Sequence, residues 1–239
     1  MGKRAIYTLI LICLLTGGAG RGEKFWGKKP YTEWTKKEVQ KLLFNSPWAK
    51  KWSYSPPQTD MISPSRETSL DVGEPNRRVP VEIPTPSPWE KQSREQIYSY
   101  ISWVSALPLK QAMVRYAQLQ NQLLDVIQVE RFLNTPESFI RINITTDNPD
   151  LLLTTLKEKI LKETYLQTKT QKKIQLLDYL PPTRDNKKVA FFIFPREENG
   201  KPLLTLEDKE VTFFTQLGNL NLKCKFKLKD MVVNGKLEL

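Results

Sequence analysis

The sequence predicts an α+β fold: an N-terminal helical segment, a proline-rich linker, then two helices with a mainly antiparallel C-terminal sheet. Three observations carry that prediction. Apolar residues recur at helical spacing in residues 108–133 and 149–165. They alternate, or run together briefly, in strand-like stretches through much of residues 96–228. Eight of the 17 prolines crowd into residues 55–88.

The chain opens with Lys3 and Arg4, an eleven-residue apolar run from Ala5 to Leu15, and the small residues Thr16-Gly17-Gly18-Ala19-Gly20. This is the pattern of a signal peptide over residues 1–20, cleaved after Ala19. The run is short of the ~20 apolar residues that span a bilayer. Cys13 follows the bulky Ile12, where lipidation needs a small residue, so the leader reads as cleaved rather than acylated. The expected location is periplasmic or extracellular.

Residues 21–54 form a basic, Trp-rich segment that reads as helical. Thr35-Lys36-Lys37-Glu38 has the capping-box spacing, with Val39, Leu42 and Leu43 on one face. Ser46-Pro47 reads as the start of a second short helical turn through Trp48, Ala49 and Trp52. Residues 55–89 read as an extended linker, since proline removes backbone donors and fixes φ.

Residues 90–239 form the α+β domain. Gln96–Val104 is a strand, followed by a helix from Pro108 that continues to Leu133. Ser138–Thr145 alternates as a strand, and a helix spans 149–165. Further strands fall near Ile174–Leu177, Lys188–Phe194, Val211–Thr215 and Leu220–Leu228. Asn199-Gly200 and Asn234-Gly235 are turn signals.

Composition excludes several chemistries. The chain has no histidine and two cysteines, of which only Cys224 lies outside the leader. Ser-His-Asp and Cys-His catalysis, His-bearing zinc sites and an intramolecular disulfide in the mature chain are therefore ruled out. No phosphate-binding glycine loop is present, and no cofactor or metal is expected. Net charge is +11, and it is uneven: residues 21–54 carry nine Lys/Arg against three Asp/Glu.

Three groups of residues share a pattern with known sequences. They are Trp34-Thr35-x-Lys37-Glu38 with Ser46-Pro47-Trp48-Ala49, then Trp103-x-Ser105-Ala106-x-Pro108, and a tail. The tail comprises Phe194-Pro195-Arg196, Asp208-Lys209-Glu210-Val211, Phe226-Lys227-Leu228-Lys229-Asp230-Met231 and Gly235-Lys236-Leu237-Glu238-Leu239. As a set they resemble a family of exported bacterial proteins, of an acidobacterial type, with no known activity. The resemblance implies export and a shared architecture, and it supplies no catalytic residue.

Two surfaces are candidates. The first is Trp34, Lys37, Trp48, Lys50, Lys51 and Trp52, where indole rings and ammonium groups suit a membrane surface or an envelope polymer. The competing reading packs those tryptophans on the 90–239 domain. The second is the stripe Lys223, Lys225, Lys227 and Lys229. Alternation sets its charges on one sheet face and Cys224, Phe226 and Leu228 on the other, as an anion site or a solvated edge that resists aggregation. The acids Glu197, Glu198, Glu207, Asp208 and Glu210 sit beside turns, and sequence shows no paired geometry for a hydrolase. Asn143-Ile144-Thr145 is an incidental sequon in a strand. The expectation is a non-enzymatic exported module that engages a protein or envelope component, with an anionic membrane as a further partner and no nucleic acid.

Overall fold

In a computed structural model, residues 25–54 and 96–239 are described, and the residues read as a leader (1–20) and as a linker (55–89) lie outside them. The fold is α+β, with the strands antiparallel throughout the paired sheets. Helix α1 (Lys36–Phe44) begins at a complete capping box. The Thr35 amide and hydroxyl donate to Glu38 Oε2 at 2.9 and 2.8 Å, while the Glu38 amide donates back to Thr35 Oγ1. Lys29 Nζ adds an ion pair to the same carboxylate at 2.9 Å. These contacts, the Thr35 backbone N–H first, hold the Glu38 carboxyl at about 2.

The sequence expectation fails at the next element. Residues Ala49–Tyr54 form strand β1, not a helical turn. Ser46 does act locally as a cap, since its Oγ accepts from the amides of Trp48 and Ala49, both at 3.2 Å. The chain then extends because β1 gains a full antiparallel ladder with β2 (Ile97–Trp103), in register from Ala49↔Ser102 to Tyr54↔Ile97. Tertiary pairing overrides a short local signal.

A five-stranded sheet is completed by β3 (Phe139–Thr146), β6 (Asp178–Leu180) and β7 (Val189–Pro195), in the order β1-β2-β3-β7-β6. A second sheet, in the order β11-β10-β4-β5, comprises β4 (Tyr165–Thr168), β5 (Lys173–Gln175), β10 (Glu210–Leu217) and β11 (Leu220–Lys227). Period-two alternation points Ile140, Ile142, Ile144, Phe192 and Phe194 from one sheet at Val211, Phe213, Cys224 and Phe226 of the other. The contact is aromatic: Phe192 and Phe194 meet Phe213 edge-on at 5.3 and 6.1 Å, and Trp103 meets Phe226 at 5.4 Å. Two hairpins, β8 (Glu197–Glu198) with β9 (Lys201–Pro202) and β12 (Val232–Val233) with β13 (Lys236–Leu237), turn at the expected Asn-Gly pairs. All four turn residues have positive φ, which Asn and Gly tolerate.

Both long predicted helices are broken. The first divides into α2 (Leu107–Leu119) and α3 (Val126–Asn134). Asn121 adopts φ +55°, and Asp125 starts α3 by accepting from the amides of Ile127 and Gln128. The second divides into α4 (Asp150–Leu153) and α5 (Lys157–Glu163), and its predicted end becomes β4. Thr155 Oγ1 accepts from the Gly218 amide at 2.6 Å, which diverts the chain between the two.

A buried charge cluster went unanticipated. Lys110 on α2 is almost fully buried and donates to Glu137 Oε1 at 3.0 Å, while Arg141 Nη2 donates to both Glu137 oxygens at 2.7 Å. Glu137 thus ties α2 to the start of β3.

The N-terminal segment is part of this core. Trp34 and Trp48 are 1% and 0% exposed. Trp48 Nε1 donates to the Glu238 carbonyl at 2.8 Å, and the Trp48 carbonyl accepts from the Trp103 amide at 2.9 Å. Arg115 Nε on α2 donates to the Trp34 carbonyl at 3.0 Å.

Replacing Trp48 with Ala is expected to cost about 3–5 kcal/mol in denaturant unfolding, the range for emptying a buried aromatic site. An effect below ~1 kcal/mol would mean that residues 25–54 do not support the domain. A second outcome concerns pH. Because the Glu38 pKa lies below its unfolded value of 4.5, its contribution is complete above pH 4.5 and is lost as pH falls toward 2. Thermal melts from pH 5 to 2 should show a decline that is shallower in Glu38→Gln, which is already less stable at pH 5.

Candidate functional site

The strands β1 and β11 are edge strands of their respective sheets. Alternation along β1 leaves Lys51 and Ser53 exposed, and turns Lys50, Trp52 and Tyr54 to the half-buried side. Along β11 it buries Leu222, Cys224 and Phe226, and exposes Lys223, Lys225 and Lys227. The two edges meet at one cavity of about 210 Å³, lined by Pro47, Lys50, Lys225, Lys227 and Asp230. A neighbouring hollow of about 370 Å³ shares Pro47, Lys50 and Asp230, and adds Phe25, Trp26, Lys41, Asn45 and Ser46. The two hollows adjoin at Pro47, Lys50 and Asp230, and together they are the groove.

Its walls are held by the fold. Trp26 packs edge-on against buried Trp48 at 5.5 Å and against Phe25 at 5.0 Å. Asp230 sits in a single 3-10 turn, Leu228–Asp230, whose Leu228 is fully buried. Lys41 comes from the last turn of α1, and Lys50 from β1 directly after the Ser46 cap.

The groove is electropositive. Lys225 is paired with Glu210 at 3.1 Å. Lys41, Lys50, Lys227 and Asp230 make no ion pair with any described residue. Four lysines against Glu210 and Asp230 leave an excess of two positive charges. Chemically the arrangement offers ammonium donors to an anion, one carboxylate to accept from hydroxyls, and two aromatic side chains for an apolar ring face.

Cys224 lies beneath this edge, 8% exposed. Burial pushes its thiol up to about 12, against a weaker opposing pull from the Lys50 charge. It is a small core residue and not a nucleophile at neutral pH. Among the described residues, no group of three or more Cys, Asp or Glu side chains is arranged to hold a metal ion. None of the described helices is long and apolar enough to cross a membrane.

The first sequence-derived surface is therefore not one surface. Trp34 and Trp48 are core residues, because the apolar face of α1 and the β1 ladder bury them. Lys37 is exposed on α1 and does not line the groove. Lys51 lies over the Tyr98 ring at 3.5 Å, and Trp52 stacks on Tyr54 on the other side of β1. Only Lys50 lines the groove. The second group also divides. Lys223 covers the Phe214 ring at 5.1 Å, where Phe214 stacks on Tyr165 and Lys173 caps the stack. Lys229 is exposed in the 3-10 turn, and Lys225 and Lys227 face the groove. Sequence reasoning missed Lys41 and Asp230 as partners of these residues. No local pattern links positions so far apart, and only the apposition of two sheet edges joins them.

No protein-family model, no curated protein and no solved structure matches the chain.

The Cys224 thiol should react with an aromatic disulfide reagent at pH 8 more than ~100-fold more slowly in the native protein than in denaturant, read on the Cys224 peptide by mass. Comparable rates would place the thiol in solvent rather than in the core.

Proposed function

We propose that the protein is an exported, non-enzymatic interaction module of the cell envelope that holds an anionic envelope polymer in the groove between β1 and β11. The observation that carries this reading is the convergence of Lys41, Lys50 and Lys227, from three separate elements and without ion-pair partners among the described residues, on one concave site. Surface lysines that only keep a protein soluble have no reason to gather around a hollow with an aromatic wall. The preferred ligand is an acidic glycan. Phe25 and Trp26 suit the apolar face of a sugar ring, Asp230 suits its hydroxyls, and the lysines suit its phosphate or carboxylate. Export rests on the basic, apolar and small-residue pattern of residues 1–20. The non-enzymatic reading is supported by a groove lining that brings one carboxylate, Asp230, where glycoside hydrolysis ordinarily uses two.

The test measures retention of the full mature chain on a phosphate- or carboxylate-bearing glycan, on the matched neutral glycan, and on vesicles of anionic phospholipid, across salt. The acidic glycan should retain the protein at low ionic strength and release it as salt rises. Lys50→Gln combined with Lys227→Gln should weaken binding about tenfold or more with an unchanged melting temperature. Equal retention on the neutral glycan, or no effect of the double variant, would overturn the reading. Retention on anionic vesicles alone would move the ligand from glycan to lipid head group.

A further inference from the structure

Helix α3 is the one α-helix of more than eight residues without a single buried residue among the described elements. Its inner side chains, Val129 and Leu133, reach only half burial. The loop that enters it places Leu123 wholly in solvent at 102% exposure, and Val126 and Ile127 follow at 69% and 68%. Leu124 adds further apolar area, while Phe132 lies on the side of the helix away from Ile127, under the Lys110 ammonium at 5.0 Å. Leu123, Leu124, Val126 and Ile127 together present on the order of 500 Å², somewhat more than half of the ~800 Å² per partner of a standard protein interface. A folded monomer gains nothing from leaving such area in water.

The polar residues of the helix indicate what covers it. Ile127, Glu130, Arg131 and Asn134 fall at i, i+3, i+4 and i+7, so they form one outward stripe, and all four are exposed. Glu130 and Arg131 stand at the middle of the helix, and neither makes an ion pair with a described residue. Residues 120–134 carry Asp125, Glu130 and Arg131, with no lysine. An anionic lipid surface would find no excess of positive charge there. A second α3 running antiparallel would find opposite charges in mirror order.

We propose that α3 and its entry loop form a twofold homodimer interface. Two α3 helices cross near residue 130, so that Glu130 meets the partner subunit's Arg131 and Arg131 meets the partner subunit's Glu130. Leu123, Val126 and Ile127 pack on either side of these two ion pairs. The contact is isologous, as a closed twofold pair requires. Because the groove uses β1, β11 and α1, dimerisation would give the protein two grooves, and binding to a repeating polymer would gain from their linkage. The dimer itself stands without that reading.

The test is sedimentation equilibrium of the full mature chain over a wide concentration range. Wild type should fit a monomer–dimer equilibrium. Ile127→Asp and Leu123→Ser should each weaken association at least tenfold. Both positions are exposed, so far-UV circular dichroism and the melting profile measured on monomer should be unchanged. Glu130→Arg and Arg131→Glu alone should weaken the dimer by setting like charges together, and the double exchange should restore it. A monomer at every concentration overturns the proposal, as does a dimer indifferent to these substitutions. Sedimentation of the protein with neutral phosphatidylcholine vesicles, lost in Ile127→Asp while wild type stays monomeric, would assign the surface to lipid and overturn it as well. Glycan retention with Lys50 and Lys227 intact is measured separately, so failure of one proposal leaves the other standing or falling on its own data.

Discussion

The position of Trp48 is the constraint on which most of the architecture depends. Its indole is wholly buried, its N–H is committed to the Glu238 carbonyl, and its own carbonyl receives the Trp103 amide. One residue therefore joins the N-terminal segment, the end of strand β2 and Glu238. Burial of an indole of this size contributes several kcal/mol, and a buried N–H without a partner would offset much of it. The Glu238 carbonyl supplies that partner. Because Trp48 is fixed, Pro47 comes to line both hollows and Lys50 emerges at the edge beside β11.

The groove follows from that anchoring more than from any local sequence feature. Edge strands commonly carry lysine to discourage further pairing, and Lys223 fits that role by covering an aromatic ring. Lys50 and Lys227 differ because the edges of two sheets approach each other at their positions. Their charges are brought together while a third lysine arrives from α1. The Glu210 and Asp230 carboxylates offset part of the repulsion, which keeps the cluster compatible with folding while its field stays positive.

Much of the fold was legible in the sequence because its signals are periodic. The alternation in Ser138–Thr145, the apolar run in Lys188–Phe194 and the Asn-Gly turns all correspond to observed elements. The Thr35–Glu38 capping box was readable atom by atom. The failures share a cause. Ala49–Tyr54, β4 and β6 are short segments whose state is decided by a partner strand distant in sequence. The two helix breaks depend on a left-handed residue at Asn121 and a single hydrogen bond at Thr155, neither of which periodicity registers. The site was only half legible: Lys50, Lys225 and Lys227 stood among the candidates, but two neighbouring tryptophans were core residues. An aromatic beside lysines looks alike in sequence whether it faces water or protein.

The bond between Trp48 and Glu238 spans 190 positions. Strand β1 likewise pairs with a strand that begins 43 positions after its own end, since Tyr54 and Ile97 are cross-strand partners. Both contacts are remote in sequence, and their loop-closure entropy must be met before either stabilises anything. Non-local pairings of this kind go with slower folding among small domains. Until the chain through Glu238 is made, the Trp48 indole N–H lacks its partner, although its carbonyl can already meet the Trp103 amide. The nascent polypeptide is consequently a different object from the finished protein: open at both ends, aromatic at one, and unable to close its core on a partial copy of itself.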